Sequence, residues 1–341
     1  MRSRATRLGL LSVSLGGLLV LAACDTTDFH VRFAVGENGV IVATTDAGST
    51  WTSQTSGVAE TLFAVSFAGP ENGCAVGEDG SAIATTDGST WSAASSVPTV
   101  KDLHGLDLVN REAPKAPTTN VPSVGPYDAF AVGDGGTIIH STDQCSTWTS
   151  QVSGTTKNLS AVLDCRCLSS DAWAVGDRGT ILATTNGGTT WGAQTSGTKA
   201  DLKAVVFIGN MKGWVAGSGG VILHTTDGGT TWTKQKSNTA HTLEGIAFGD
   251  STHGYAVGDD GVIVATSDGG TTWAKQVTHT TTDLDSVATT MVGYDPFVTP
   301  TGDYHDAIAV GGNGTVLMTT DAGVTWTKVN AGTKVGLEGT D

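Results

Sequence analysis

Short apolar segments of two kinds alternate along this chain with a period near 41 residues. The stretch LKAVVF at 202–207 alternates between apolar and polar or small positions. GWVAG at 213–217 is almost continuously apolar. VILHTT at 221–226 follows, and TWTKQ at 231–235 alternates again. Glycine-rich turns such as GDDG at 258–261 separate the second segment from the third, and an Asp-Gly turn separates the third from the fourth. Alternation marks a strand with one wet face, and a short, fully apolar run bounded by turn residues marks a strand buried on both. Each unit therefore predicts four antiparallel strands joined by tight turns, with no helical periodicity to compete.

Aligned on a recurring tryptophan, the units end at Trp51, Trp91, Trp148, Trp191, Trp232, Trp273 and Trp326. Intervals of 57 and 53 residues interrupt a spacing that is otherwise 40 to 43. Seven four-stranded units at this period predict an all-β, seven-bladed β-propeller over residues 32–341. The chain enters at VRFAVG, 31–36, which has the pattern of a second strand. It leaves through VGLEGTD, 335–341, which has the pattern of a first strand, as in LEGIAFGD at 243–250. The C-terminal strand is thus expected to complete the N-terminal blade and leave no open sheet edge.

Composition changes the picture at the N-terminus. Arg2, Arg4 and Arg7 precede an apolar stretch from Leu8 to Leu21 that ends in LAAC at 21–24. This resembles the lipobox of bacterial lipoproteins. The resemblance implies a signal peptide, residues 1–23, removed before an acylated Cys24, with residues 24–31 as a lipid-anchored tether. An exported location on a bacterial membrane is expected. The whole chain carries a net charge of −15. Removing residues 1–23 takes away three arginines and no acid, so the remainder is more acidic still. Such a surface repels nucleic acid, which is excluded as a partner. Cys165 and Cys167 are one residue apart with no second pair, so no metal site is expected, and no cofactor either.

The eight-residue unit T-x-D-x-G-x-T-W, clearest at 225–232, resembles the Asp box of bacterial neuraminidase-repeat propellers. Its structural positions are Asp46, Asp87, Asp143, Asn186, Asp227, Asp268 and Asp321, paired with the seven tryptophans above. An Asp before Gly in a hairpin accepts backbone N–H groups, and Gly supplies positive φ. A residue repeated seven times is a construction element, with each tryptophan packing between blades. Asp boxes also occur in sialidases, which grip a carboxylate with three arginines. Here Arg32, Arg111 and Arg166 lie at one end of the strands and Arg178 at the other. His140 and His224 share one slot two blades apart and read as ordinary strand residues. No nucleophile, base and orienting group come together, so the chain is not expected to be an enzyme.

The runs AVGDRGTILATTNGGTTW (174–191) and AVGDDGVIVATSDGGTTW (256–273) resemble the Ycf48/Hcf136-like group of photosystem II assembly factors. The resemblance extends over nearly all of 32–341. It implies a non-catalytic scaffold for protein–protein interaction that assists a membrane complex to assemble or persist. It also implies an arginine-rich partner face, which four scattered arginines do not supply. A glycan-binding or sialidase-like propeller is the alternative. Two insertions, 110–128 and 292–304, fall between first and second strands on the Asp-box face. Long loops on a rigid ring are where binding resides. Arg111, Lys115, Tyr294, Phe297 and Tyr304 are the candidate contacts for a partner, expected to be a membrane protein. The short tether would turn that face toward the bilayer. A disulfide is expected from Cys145 to Cys165 or Cys167, which share a face on neighbouring blades. Cys74 is expected to be buried and free.

Overall fold

The structure, a computed structural model, describes residues 32–110, 127–165, 170–289 and 306–341. Seven four-stranded antiparallel sheets surround a central axis. Blade 1 comprises residues 32–54 with 337–340; blades 2 to 7 span 62–93, 103–151, 159–195, 202–236, 243–275 and 284–330.

Blade 5 shows why these residues form these strands. Its strands are Leu202–Ile208, Lys212–Gly217, Val221–Thr225 and Thr233–Lys236. The register runs Val206 to Trp214, Trp214 to His224 and His224 to Thr233. Second strands such as Ala172–Gly176 and Gly254–Gly258 are buried along their whole length. They sit mid-blade with another blade on each side, which is why their sequence is apolar without alternation. Fourth strands are mostly exposed and carry Thr, Lys and Gln.

The ring closes as expected. Leu337–Thr340 pairs with Arg32–Gly36 through Ala34 to Thr340 and Val35 to Gly339. Every first strand carries a bulge just after its opening leucine, as at Leu202/Ala204 and Leu284/Ser286. A bulge sets one extra residue against the partner strand and re-aims its side chain. Between second and third strands, two successive residues adopt left-handed geometry, the second a glycine in every blade. The first is Asn, Asp or Gly in six blades and Arg178 in blade 4, at φ 55°.

Candidate functional site

Two ends of the ring offer surface. One carries the second-to-third-strand turns and the fourth-to-first-strand loops. There the bulged residues of the innermost strands form a circle: Phe63, His104, Ser160, Lys203, Glu244, Asp285 and Glu338, all half-buried. Two pairs of neighbours in the circle meet. The Phe63 and His104 rings are 5.3 Å apart. Lys203 Nζ lies 3.4 Å from Glu244 Oε2. One side of this channel mouth is therefore aromatic and basic, and the other holds three carboxylates on successive blades. Burial pushes the Asp285 carboxyl up to about 7, with Glu338 and Glu244 adding like-charge repulsion. Burial also raises Glu338, with Glu37 beside it. Glu244 is raised by burial too, against the pull of Lys203. Below the mouth the strands crowd together, since a Cβ at Gly105 would lie 2.7 Å from the Ala161 Cα.

This circle is absent from the sequence expectations above. Its signal was visible: each first strand opens with leucine followed by a variable residue, from Leu62-Phe63 to Leu337-Glu338. The acids around it on the turns are structural. Asp102, Asp201 and Asp283 each accept a hydrogen bond from the amide of the first left-handed residue of a neighbouring turn, at 2.8–2.9 Å.

The other end carries the Asp boxes. In blade 5 the Thr225 hydroxyl donates to Asp227 Oδ1 (2.7 Å) and accepts from the Gly229 amide (2.9 Å). Asp227 in turn accepts from the Thr231 amide (2.8 Å) and hydroxyl (2.7 Å). The same closed circuit recurs at Asp46, Asp143, Asp268 and Asp321. Asn186 keeps it by donating to Thr190 Oγ1 (3.0 Å). Asp87, in the box one residue short, caps the amides of Ser89 and Thr90. Each side chain spends its oxygens within its own turn. Hydrogen bonds from the Thr50 hydroxyl and amide hold Asp46 down to about 2. Among the described residues no group of three His, Cys, Asp or Glu side chains is placed to hold a metal ion.

The box tryptophans join the blades. Trp91, Trp191, Trp232 and Trp273 each donate from Nε1 to a glutamine on the preceding blade's fourth strand. Three of those glutamines, Gln54, Gln194 and Gln235, donate to a glycine carbonyl in the tryptophan's own turn. An aromatic stack lies inside this clamp. Trp173 stacks on Phe207 at 3.7 Å and Trp214 on Phe248 at 3.8 Å.

The cysteine pairing differs from expectation. Cys145 is bonded to Cys74, with a Cα–Cα distance of 6.3 Å, so Cys74 is buried but not free. Cys165 is also disulfide-bonded, to a partner outside the described residues. The reason is directional. An Asp-box turn packs backward onto the preceding blade, as the tryptophan clamps show. Cys145 in blade 3 therefore faces the second strand of blade 2, not the first strand of blade 4. The slot of Cys74 is that of Trp173 and Trp214, whose Nε1 groups reach the next blade's turn at Gly228 and Gly269.

The histidines are ordinary strand residues. His140 stacks on Phe130 and hydrogen-bonds Asp128, and His224 stacks on Trp214 at 4.9 Å. Arg32 sits beside Asp341 and Asp306 at the Asp-box end, with burial lowering its pKa. Cys24, Cys167, Arg111, Lys115, Arg166, Tyr294, Phe297 and Tyr304 lie outside the described residues. What the structure fixes is where the two insertions leave and rejoin the ring. They connect first to second strands, at 110 and 127 in blade 3 and at 289 and 306 in blade 7.

Fold and site together define a closed propeller of Asp-box repeats. Comparison with known proteins refines this. The family of photosynthesis system II assembly factor YCF48 matches residues 21–166, 159–240 and 231–301. The chain belongs to that family. Among solved structures it is similar to YCF48 bound to D1 peptide, with 20% identity, TM-score 0.64 and coverage of 86% of this chain and 91% of that one. YCF48 from Cyanidioschyzon merolae gives 20% identity, TM-score 0.62 and coverage of 86% and 92%. The WD40 propeller domain of Doa1 gives 12% identity, TM-score 0.57 and coverage of 83% and 86%. At these identities the likeness establishes the fold. No curated protein matches the chain.

Proposed function

We propose that this protein is a non-catalytic binding scaffold that holds a segment of a membrane protein while its complex assembles or is maintained. One observation carries the reading: the chain belongs to an assembly-factor family, and a solved relative holds a peptide of D1. The described part of the molecule agrees with it. Aspartates repeated around the ring are consumed by their own turns, and the histidines and tryptophans by packing. We further propose export and anchoring through an acylated Cys24, supported by the n-region, apolar stretch and lipobox in sequence. The Asp-box face would then lie near the bilayer, since residues 25–30 reach at most about 20 Å. The insertions that rise from that face are the proposed partner contacts.

The test is cross-linking of the tagged, acylated protein in its own membranes, followed by mass spectrometry. A dominant membrane-protein neighbour that disappears when residues 292–304 are deleted from an otherwise folded ring supports the reading. Capture that is unchanged by the deletion removes that loop from the interface. Binding to a glycan array with no protein neighbour replaces the scaffold reading with the glycan one.

A further inference from the structure

Of the seven contacts between blades, the one between blades 2 and 3 carries a disulfide, Cys74 to Cys145, and lacks the large side chains that fill the others. Its slot, filled by the larger Phe33, Phe130, Trp173, Trp214, Tyr255 or Ile308 elsewhere, holds Cys74. Its clamp position, a glutamine in five other blades and Val329 in blade 7, is Ala94. The turn glycine that meets those groups, Gly229 or Gly270 for example, is Cys145. Trp148 finds no glutamine, and its Nε1 donates to the Cys145 carbonyl at 3.1 Å, as Trp51 Nε1 does to the Gly48 carbonyl at the contact of blades 7 and 1, where Ile308 and Val329 pack instead.

These replacements depend on one another. At an ordinary contact a side chain on the turn glycine would have to push the clamp aside, because a Cβ at Gly229 would lie 2.2 Å from Gln194 Oε1. Alanine at 94 empties that space and Cys145 enters it. Cys145 does so at φ 60°, a backbone region that disfavours a residue with a Cβ. A small residue at 74 leaves room for the sulfur to meet it. The outer edge then draws in: the Ser95 amide donates to the Ser146 carbonyl (2.8 Å) and the Trp148 amide to the Ser96 carbonyl (3.0 Å).

We propose that this contact is closed by oxidation, so that the complete ring forms only after a thiol–disulfide oxidoreductase has acted on the chain. The reaction is disulfide exchange. The thiols of Cys74 and Cys145 and the disulfide of the oxidant give the Cys74–Cys145 bond and two thiols on the oxidant. Two electrons and two protons leave with it. Reduced, the contact has neither aromatic stack nor clamp, and small side chains (Cys74, Ala84, Ala94) face the turn of blade 3. Once formed, the bond is sealed, since both cysteines are 1% exposed. The inference is independent of what the protein binds.

Non-reducing peptide mapping of the full chain recovered from an oxidising compartment comes first. A peptide joining Cys74 to Cys145 is expected, and both thiols free overturns the proposal. The Cys74→Ala/Cys145→Ala variant is next, because it leaves the Cys165 disulfide untouched. It is expected to melt on the order of 5 °C lower, with faster amide exchange at Ser95 and Trp148 alone. The variant Cys74→Trp/Ala94→Gln/Cys145→Gly, which writes the ordinary contact back in, is expected to recover both without a disulfide. A double variant that melts and exchanges like the wild type overturns the proposal. Should it fail to fold, refolding decides, in a chain with Cys165 and Cys167 changed to alanine. Higher recovery with a disulfide-exchange catalyst is expected, and equal recovery without it overturns the proposal.

Discussion

At the scale of single residues, two sets of carboxylates respond to pH in opposite directions. The Asp-box carboxylates are stabilised in their charged form by donors in their own turns. The pKa of Asp46 falls to about 2 from the ordinary 3.8, and those of Asp227 and Asp321 are lowered by the same kind of bonds. A lowered folded pKa contributes stability that is fully present above the unfolded value and lost as pH drops through the folded one. Acid melting should therefore set in between about pH 4 and pH 2, and replacing several Asp-box aspartates with asparagine should flatten it. Asp285 works the other way. Its carboxyl, up at about 7, holds its proton in the folded state where the unfolded chain has released it. Stability falls as pH rises from about 4 to about 7 and stays lowered above. Asp285→Asn should stabilise the protein at pH 8, by on the order of 1 kcal/mol once solvent screening is allowed for, seen as a higher melting temperature, and leave it unchanged at pH 4. Equal melting of the two proteins at pH 8 would show that the channel mouth tolerates the charge freely.

At the scale of the element, the repeated contact between blades was legible only in part. The tryptophans, aspartates and turn glycines announce themselves by recurrence, because a residue needed in each blade is written in each blade. The clamp glutamine was as visible in TWTKQ at 231–235, but the partner of Gln235 is Trp273, 38 residues on, in the next unit. A repeat read as a self-contained unit does not say which way its turn leans. That direction also decided the cysteine bond, which is why sharing a face was not enough to pair Cys145. The clamp can be measured. Gln194→Ala leaves Trp232 Nε1 without its acceptor, while the Gly228 carbonyl keeps Trp173 Nε1, and should cost about 1–2 kcal/mol in thermal or denaturant unfolding. Gln276 occupies the same position in blade 6 but donates to its own strand at Ala274, and Trp326 Nε1 is buried without a partner. Gln276→Ala should therefore cost less than half as much. Similar losses in the two variants would mean that glutamine contributes through packing alone.

At the scale of the whole molecule, blade count and closure followed from period and from the strand pattern at the two ends of the repeat. Closure is testable by removing residues 337–341. That deletion takes Leu337, fully buried, out of the core between blades 7 and 1, and bares the inner edge of Arg32–Gly36. The shortened protein should melt several degrees lower and associate through its open edge, seen as concentration-dependent sedimentation. The mouth of the channel was the least legible feature. Its residues are united only by a bulge that shifts each strand by one position, and alternation alone does not predict a bulge. Closure also has a mechanical side. A load pulling on Arg32 along its strand meets a segment bonded on both sides, through Val35 to Ile41 and through Ala34 to Thr340. A ring entered by an edge strand could be unzipped from its attachment one hydrogen bond at a time. This one must shear two ladders together, so a force arriving through residue 32 is spread across the first blade before any strand can come away.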